Sequence, residues 1–121
     1  MARKFDAVTL NTLKREGEVR IRPGKSTKRG VIIWIVATGE DAYVRSVQAA
    51  QGKWFQRVAQ SKEATLEIGD RLIPVTATPV ADTATLDAVS AEYLRKYATS
   101  PYAKSMTRPE TLPTTLRLQP R

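Results

Sequence analysis

A chain of 121 residues and 13.4 kDa, 41 % hydrophobic and 26 % charged, is large enough to bury one core, and its 6 Gly and 7 Pro argue against global disorder. It contains no Cys and no His, which removes disulfides, thiolate metal sites, a Cys nucleophile and the commonest general base. The net charge of +8 is lopsided: residues 1 to 62 carry 13 basic and 5 acidic side chains and residues 63 to 121 carry 7 of each, so the whole excess lies in the first half and favours anionic partners.

Residues 6 to 16 place Val8 or Thr9 with Leu10 and Leu13 on one stripe, with Asp6 as N-cap and Gly17 as stop, which predicts a short amphipathic helix. Glu18 to Arg22 alternates as a strand until Pro23-Gly24, and Lys25 to Gly30 is a basic, polar loop. Val31 to Ala37 is a β-branched apolar run and predicts one strand buried on both faces. Thr38 to Asp41 turns the chain into a strand over 42–47, where Ala42, Val44 and Ser46 face one side and Tyr43, Arg45 and Val47 the other.

After a small-residue loop, Lys53 to Ser61 sets Trp54 against Val58 at i, i+4 and predicts a two-turn helix. Strands over 64–68 and 72–80 form a hairpin about Gly69-Asp70, whose glycine supplies the positive φ that a type II′ turn needs. Asp82 to Tyr97 is the strongest helix, with Leu86, Val89, Tyr93 and Tyr97 on one stripe. Residues 98 to 113, with three prolines, read as loop, and residues 114–119 as a last strand. The chain thus reads as a single domain over 1–121, of α+β class: a six-stranded, mainly antiparallel β-barrel with peripheral helices. No apolar run approaches the roughly 18 residues of a membrane span, and the N-terminus lacks the apolar stretch of a signal peptide. A cytoplasmic protein without a membrane partner is expected.

One stretch points at chemistry. A strand that delivers Arg45 and Ser46 into a loop, followed by a helix start carrying Gly52 and Lys53, is a cradle suited to a phosphate group. The alternative is two solvated cations flanking a loop. Trp54 and Phe55 fit core packing better than ligand contact, as does Trp34, whose indole could alternatively line a groove for a planar ring. Lys25, Lys28 and Arg29 read either as a solvated hairpin or as a gate for an anion.

The segments Ala42-Tyr-Val-Arg-Ser46, Gly52-Lys-Trp-Phe55, Ala64-Thr-Leu-Glu-Ile-Gly69, Pro74-Val-Thr-Ala77, Glu92-Tyr-Leu-Arg-Lys-Tyr97 and Leu116-Arg-Leu-Gln-Pro-Arg121, in this order, resemble the flavin-binding split-barrel superfamily. That group includes pyridoxamine-phosphate oxidases and deazaflavin-dependent nitroreductases. Within it, the chain is most similar to an uncharacterised family of short bacterial proteins. The resemblance implies a groove for FMN or a deazaflavin coenzyme, with the phosphate near the third strand and the following helix. Carried over, the oxidase pattern falls on Tyr43 and Lys53, with Arg45 and Ser46 beside them, and the deazaflavin pattern on Gly52, Lys53 and Trp54. Two departures stand out: the oxidase-type Arg and Lys are missing from residues 32–37, and Gly52-Lys53 replaces a Gly-Pro step. A homodimer follows by the same analogy.

Three functions fit these observations: an oxidoreductase whose flavin does the redox chemistry, a non-catalytic ligand-binding or interaction protein of the same fold, and a basic nucleic-acid-binding domain. The first is expected. A stacking platform for nucleic acid needs surface aromatics among basic residues, whereas the 8 aromatics here fall into apolar stripes.

Overall fold

In the computed structural model, which describes residues 4–121, all strand pairing belongs to one antiparallel sheet of seven strands. The strands are β1 (Val19–Pro23), β2 (Val31–Ile33), β3 (Ile35–Thr38), β4 (Asp41–Val44), β5 (Glu63–Ile68), β6 (Arg71–Pro79) and β7 (Leu116–Pro120). The helices are α1 (Ala7–Arg15), α2 (Lys53–Ser61) and α3 (Thr83–Lys96). The class is α+β. The spatial order is β2-β1-β5-β6-β7-β4-β3, so the two edge strands are the two that follow each other directly in sequence. The sheet curls into a nearly closed barrel, and the chain crosses its seam at Trp34.

Seven strands replace the six expected because the apolar run 31–37 is broken at that crossing. Ile33 pairs with Val19 of β1, whereas Ile35 pairs with Val44 of β4, so no ladder continues through Trp34. Helix α3 supplies the missing partners. The Ile35 amide donates to the Tyr97 hydroxyl at 3.2 Å, that hydroxyl donates to the Gly17 carbonyl at 2.6 Å, and the Tyr93 hydroxyl reaches the Trp34 carbonyl at 3.4 Å. The Trp34 and Tyr97 rings stack at 4.0 Å between centroids with 2° between planes. A buried backbone amide needs a partner somewhere, and a tyrosine provides it where the sheet cannot.

Strand alternation then sorts the core into two layers. Ile21, Ile35, Ala42, Val44, Leu66, Val75 and Leu118 fill the barrel with Leu13 of α1 and Val58 of α2. Val36, Tyr43, Val89, Tyr93 and Tyr97 fill the space between the barrel wall and α3. The predicted stripes hold: on α1 it is Thr9, not Val8, that is buried with Leu13, and Val58 on α2 is fully buried. Asp6 and Asp82 cap α1 and α3 by accepting from the Thr9 and Thr85 amides, and these bonds hold both carboxyls below their ordinary range. The β5–β6 hairpin turns at Gly69 with φ +59°, as a type II′ turn requires. Residues 98–113, expected to be loop, contain two 3₁₀ segments, Ala103–Thr107 and Pro109–Thr114, which return the chain to β7.

Lys96 closes the seam from the other side. Its ammonium donates to the Leu13 carbonyl at 2.9 Å and the Ile35 carbonyl at 2.6 Å, tying the end of α1 and the start of β3 to α3. Burial pushes its pKa down to about 8. Between pH 8 and the unfolded value near 10.5 the unfolded chain therefore binds more protons at this site than the native one, and stability rises with pH across that window. Urea unfolding at pH 7.5 and pH 10 checks this: the wild type gains stability relative to Lys96→Met on going to the higher pH, and parallel behaviour of the two proteins would refute it.

Candidate functional site

At the seam the barrel opens into a cleft of about 270 Å³ lined by Glu18, Ile32, Ile33, Trp34, Arg45, Val47, Trp54, Tyr102 and Met106. Both tryptophans of the chain border it. Trp34 arrives from the strand crossing and Trp54 from the first turn of α2, where it meets the Phe55 ring edge-on at 6.3 Å. The residues around the mouth are apolar and open: Ile32, Val47 and Tyr102 are 49 %, 51 % and 70 % exposed.

Strand β4 ends at Val44, but its alternation continues for two residues and sends Arg45 and Ser46 opposite ways. Arg45 turns with Tyr43 toward α3 and is 1 % exposed. Its Nε donates to Thr115 Oγ1 at 2.8 Å, Nη1 to Ser90 Oγ at 2.7 Å and the Met106 carbonyl at 3.0 Å, and Nη2 to the Leu86 carbonyl at 3.0 Å. Its guanidinium carbon also stands 5.7 Å from the centre of the Tyr93 ring. No carboxylate lies within ion-pair distance of it among the described residues, and burial pulls its pKa below the usual arginine value. Arginine remains charged at neutral pH regardless. The floor of the cleft thus holds a buried cation without a counter-ion.

Ser46 turns toward α2. Its amide donates to Thr114 Oγ1 at 3.0 Å, while its own hydroxyl is buried without a hydrogen-bond partner, alone in this among the side chains of the described residues. The residue over it is Gly52, where a Cβ would stand 2.2 Å from Ser46 Oγ. Gly52 is also the N-cap of α2 and brings no side-chain cap, so the amides of the first turn, which begins with Lys53, lack the carboxylate that α1 and α3 have. Lys53 is exposed at the first helical position, next to Trp54.

Of the residues singled out from sequence, Arg45 and Trp54 line the cleft, and Ser46, Gly52 and Lys53 gather at the adjacent start of α2. Tyr43 goes elsewhere. It is packed under α3, its hydroxyl accepting from Arg117 Nε at 3.2 Å. Trp34, read as core with a groove wall as its alternative, does both: half-buried, it packs against the cluster under α3 and forms part of the cleft wall. Glu18, Ile32, Tyr102 and Met106 were not anticipated. A lone aromatic following Pro101 in a stretch read as loop was the one local sign of Tyr102. Among the described residues no group of three or more acidic side chains could hold a metal ion, and no helix is long and apolar enough to cross a membrane.

The same architecture recurs in solved structures. An F420-H2 dependent reductase (FDR-A) superposes with a TM-score of 0.62 at 17 % identity, covering 86 % of this chain and 94 % of that one. A putative pyridoxamine 5′-phosphate oxidase from Listeria innocua gives 0.61 at 10 % identity, covering 94 % and 90 %. The heme storage protein HutZ from Vibrio cholerae gives 0.68 at 11 % identity, covering 98 % and 91 %. At these identities the likeness is one of fold alone, a split β-barrel. No curated protein matches the chain in sequence. Residues 9–118 do match one family model throughout, and the chain belongs to that family, described as "Uncharacterized protein conserved in bacteria (DUF2255)".

Proposed function

We propose that this protein binds a phosphorylated flavin or deazaflavin in the seam cleft and serves as an oxidoreductase on a small molecule. One observation carries the reading: both tryptophans border a single apolar cleft whose floor is an uncompensated arginine and whose edge is the uncapped start of α2 with Lys53. A planar ring suits the aromatic walls, and a phosphate suits the helix amides, the Lys53 ammonium and the field of Arg45. Ser46, under Gly52, becomes a further donor once the loop before α2 shifts. When bound, the flavin ring supplies the hydride chemistry, which accounts for a site without a general acid–base set. Heme, named for one structural neighbour, fits these residues less well, since the chain has neither His nor Cys and the cleft offers only Tyr102 and Met106 as axial donors.

The open apolar mouth at Ile32, Val47 and Tyr102 suits coverage by a second copy, making the working form a homodimer. The binding test uses FMN, the deazaflavin coenzyme and riboflavin, which lacks the phosphate. FMN or the deazaflavin quenches the tryptophan fluorescence, and Lys53→Glu weakens that binding by about tenfold or more while leaving riboflavin unchanged. Absence of quenching by either cofactor at millimolar concentration overturns the proposal. Binding without reduction by a nicotinamide or deazaflavin donor leaves a ligand-binding protein and removes the enzymatic part.

A further inference from the structure

Two long stretches of the chain, 19–38 and 42–62, contain no acidic residue, and together they hold nine Lys and Arg. Seven of these cations fall into two groups, and the other two, Arg29 and Lys62, are also exposed. Arg20, Arg22 and Arg45 are used internally: Arg20 donates to the Gly30 carbonyl at 2.8 Å, Arg22 pairs with Glu67, and Arg45 is buried as described. Lys25, Lys28, Lys53 and Arg57 are exposed, and none has a carboxylate within ion-pair distance among the described residues.

These four cations belong to two adjoining elements. Lys53 and Arg57 stand at i, i+4 on the outer face of α2, whose other exposed residues, Gln56, Gln60 and Ser61, are also uncharged or polar. The loop bearing Lys25 and Lys28 abuts the far half of that helix, with Pro23, Gly24 and Ser26 facing Arg57, Gln60 and Ser61 across a hollow of about 240 Å³. The loop is braced. The Gly24 amide donates to the Glu63 carbonyl at 2.8 Å, the Lys28 amide to Ser26 Oγ at 3.2 Å, and the Gly30 amide to Glu67 Oε1 at 2.8 Å. Helix and loop form one basic, wholly polar ridge.

We infer that this ridge docks on the phosphodiester backbone of a nucleic-acid duplex. Exposed cations left without counter-ions on fixed elements are what backbone recognition requires. An anionic membrane surface fits less well, because the exposed large apolar side chains, Val8, Val31, Ile32, Val47, Leu72, Leu94 and Tyr102, all lie outside α2 and the 24–30 loop, leaving nothing on the ridge to insert. A single strand fits less well too, since no aromatic on the ridge is exposed for a base to stack on. The inference stands whether or not the cleft binds a cofactor, but a phosphate held there would claim Lys53, so the four-contact expectation applies to the cofactor-free protein.

The test measures fluorescence anisotropy of a labelled 20-base-pair DNA duplex against salt. Four phosphate contacts give a log K against log salt slope of about −3.6. Lys25→Glu/Arg57→Glu is compared with Lys14→Glu/Lys104→Glu, which changes net charge equally at exposed sites off the ridge. The ridge pair loses at least about tenfold in affinity and about 1.8 units of slope, and the control pair much less. Equal losses in the two pairs, absence of binding at 50 mM salt, or tighter binding to the single strand or to vesicles rich in anionic lipid overturns the inference.

Discussion

Replacing Arg45 by lysine is expected to cost about 2–3 kcal/mol, whereas Arg45→Met costs about 1 kcal/mol or less, an order opposite to that expected of conservative substitution. The guanidinium is a planar fork with five donors, and four of them are engaged by Thr115, Ser90, Met106 and Leu86. A lysine ammonium keeps the buried charge but cannot place its three donors on acceptors arranged for a fork. Methionine removes the charge altogether, and with it the desolvation that already depresses the arginine. Two of the groups it abandons keep another hydrogen bond: the Met106 carbonyl also accepts from Thr111 Oγ1 at 3.1 Å, and Thr115 Oγ1 donates to the Leu112 carbonyl at 2.8 Å. Urea unfolding followed by tryptophan emission measures both variants, and the lysine protein melts on the order of 10 °C lower. A methionine variant less stable than the lysine variant would show that the four hydrogen bonds outweigh the desolvation. The methionine protein also separates structure from binding: if the buried cation attracts an anion in the cleft, it stays folded yet holds FMN more weakly.

Local periodicity carried most of the architecture into the sequence. The i, i+4 pair Trp54 and Val58 marks α2, the stripe Leu86, Val89, Tyr93 and Tyr97 marks α3, and Gly69-Asp70 marks the hairpin, because each signal arises from neighbours a few residues apart. The apolar run 31–37 carries no such signal. Six consecutive β-branched or aromatic positions, followed by Ala37, look alike whether the ladder is continuous or broken, and the break at Trp34 depends on hydroxyls of Tyr93 and Tyr97 about 60 residues away. The site divides along the same line. Trp54 is brought to the cleft, with Gly52 and Lys53 beside it, by a helix start that the sequence displays. Tyr43 and Arg45, two residues apart on one strand face, meet the same helix but different neighbours, and only the return of the chain through Thr111 to Thr115 decides that Arg45 is enclosed at the cleft floor while Tyr43 is sealed beneath α3. Charge was legible as a sum and illegible as a pattern, since pairing of Arg22 with Glu67 and the freedom of Arg57 are both products of tertiary contact.

Gly52→Ala is expected to destabilise the protein by about 2 kcal/mol, and most of that loss disappears when Ser46 is also alanine. Backbone strain is not the cause, because Gly52 has φ −62° and ψ 125°, which any residue adopts. The cause is contact: the added Cβ would stand 2.2 Å from Ser46 Oγ and 3.4 Å from Ser46 Cβ, so removing the hydroxyl relieves the closer contact and leaves one that is tight but tolerable. Ser46→Ala by itself should stabilise by about 1 kcal/mol, since the buried hydroxyl has no partner to lose. Chemical denaturation of the two single variants and the double variant gives the coupling directly, and additive effects would show that Gly52 is not pressed onto Ser46. The cycle also weighs stability against ligand capture. An unpartnered hydroxyl beneath an uncapped helix start costs the free protein stability, so its retention makes sense if a bound anion draws the 47–52 segment aside and takes the Ser46 proton donor. In that case FMN affinity falls in Ser46→Ala while stability rises, a divergence that a purely structural serine would not produce.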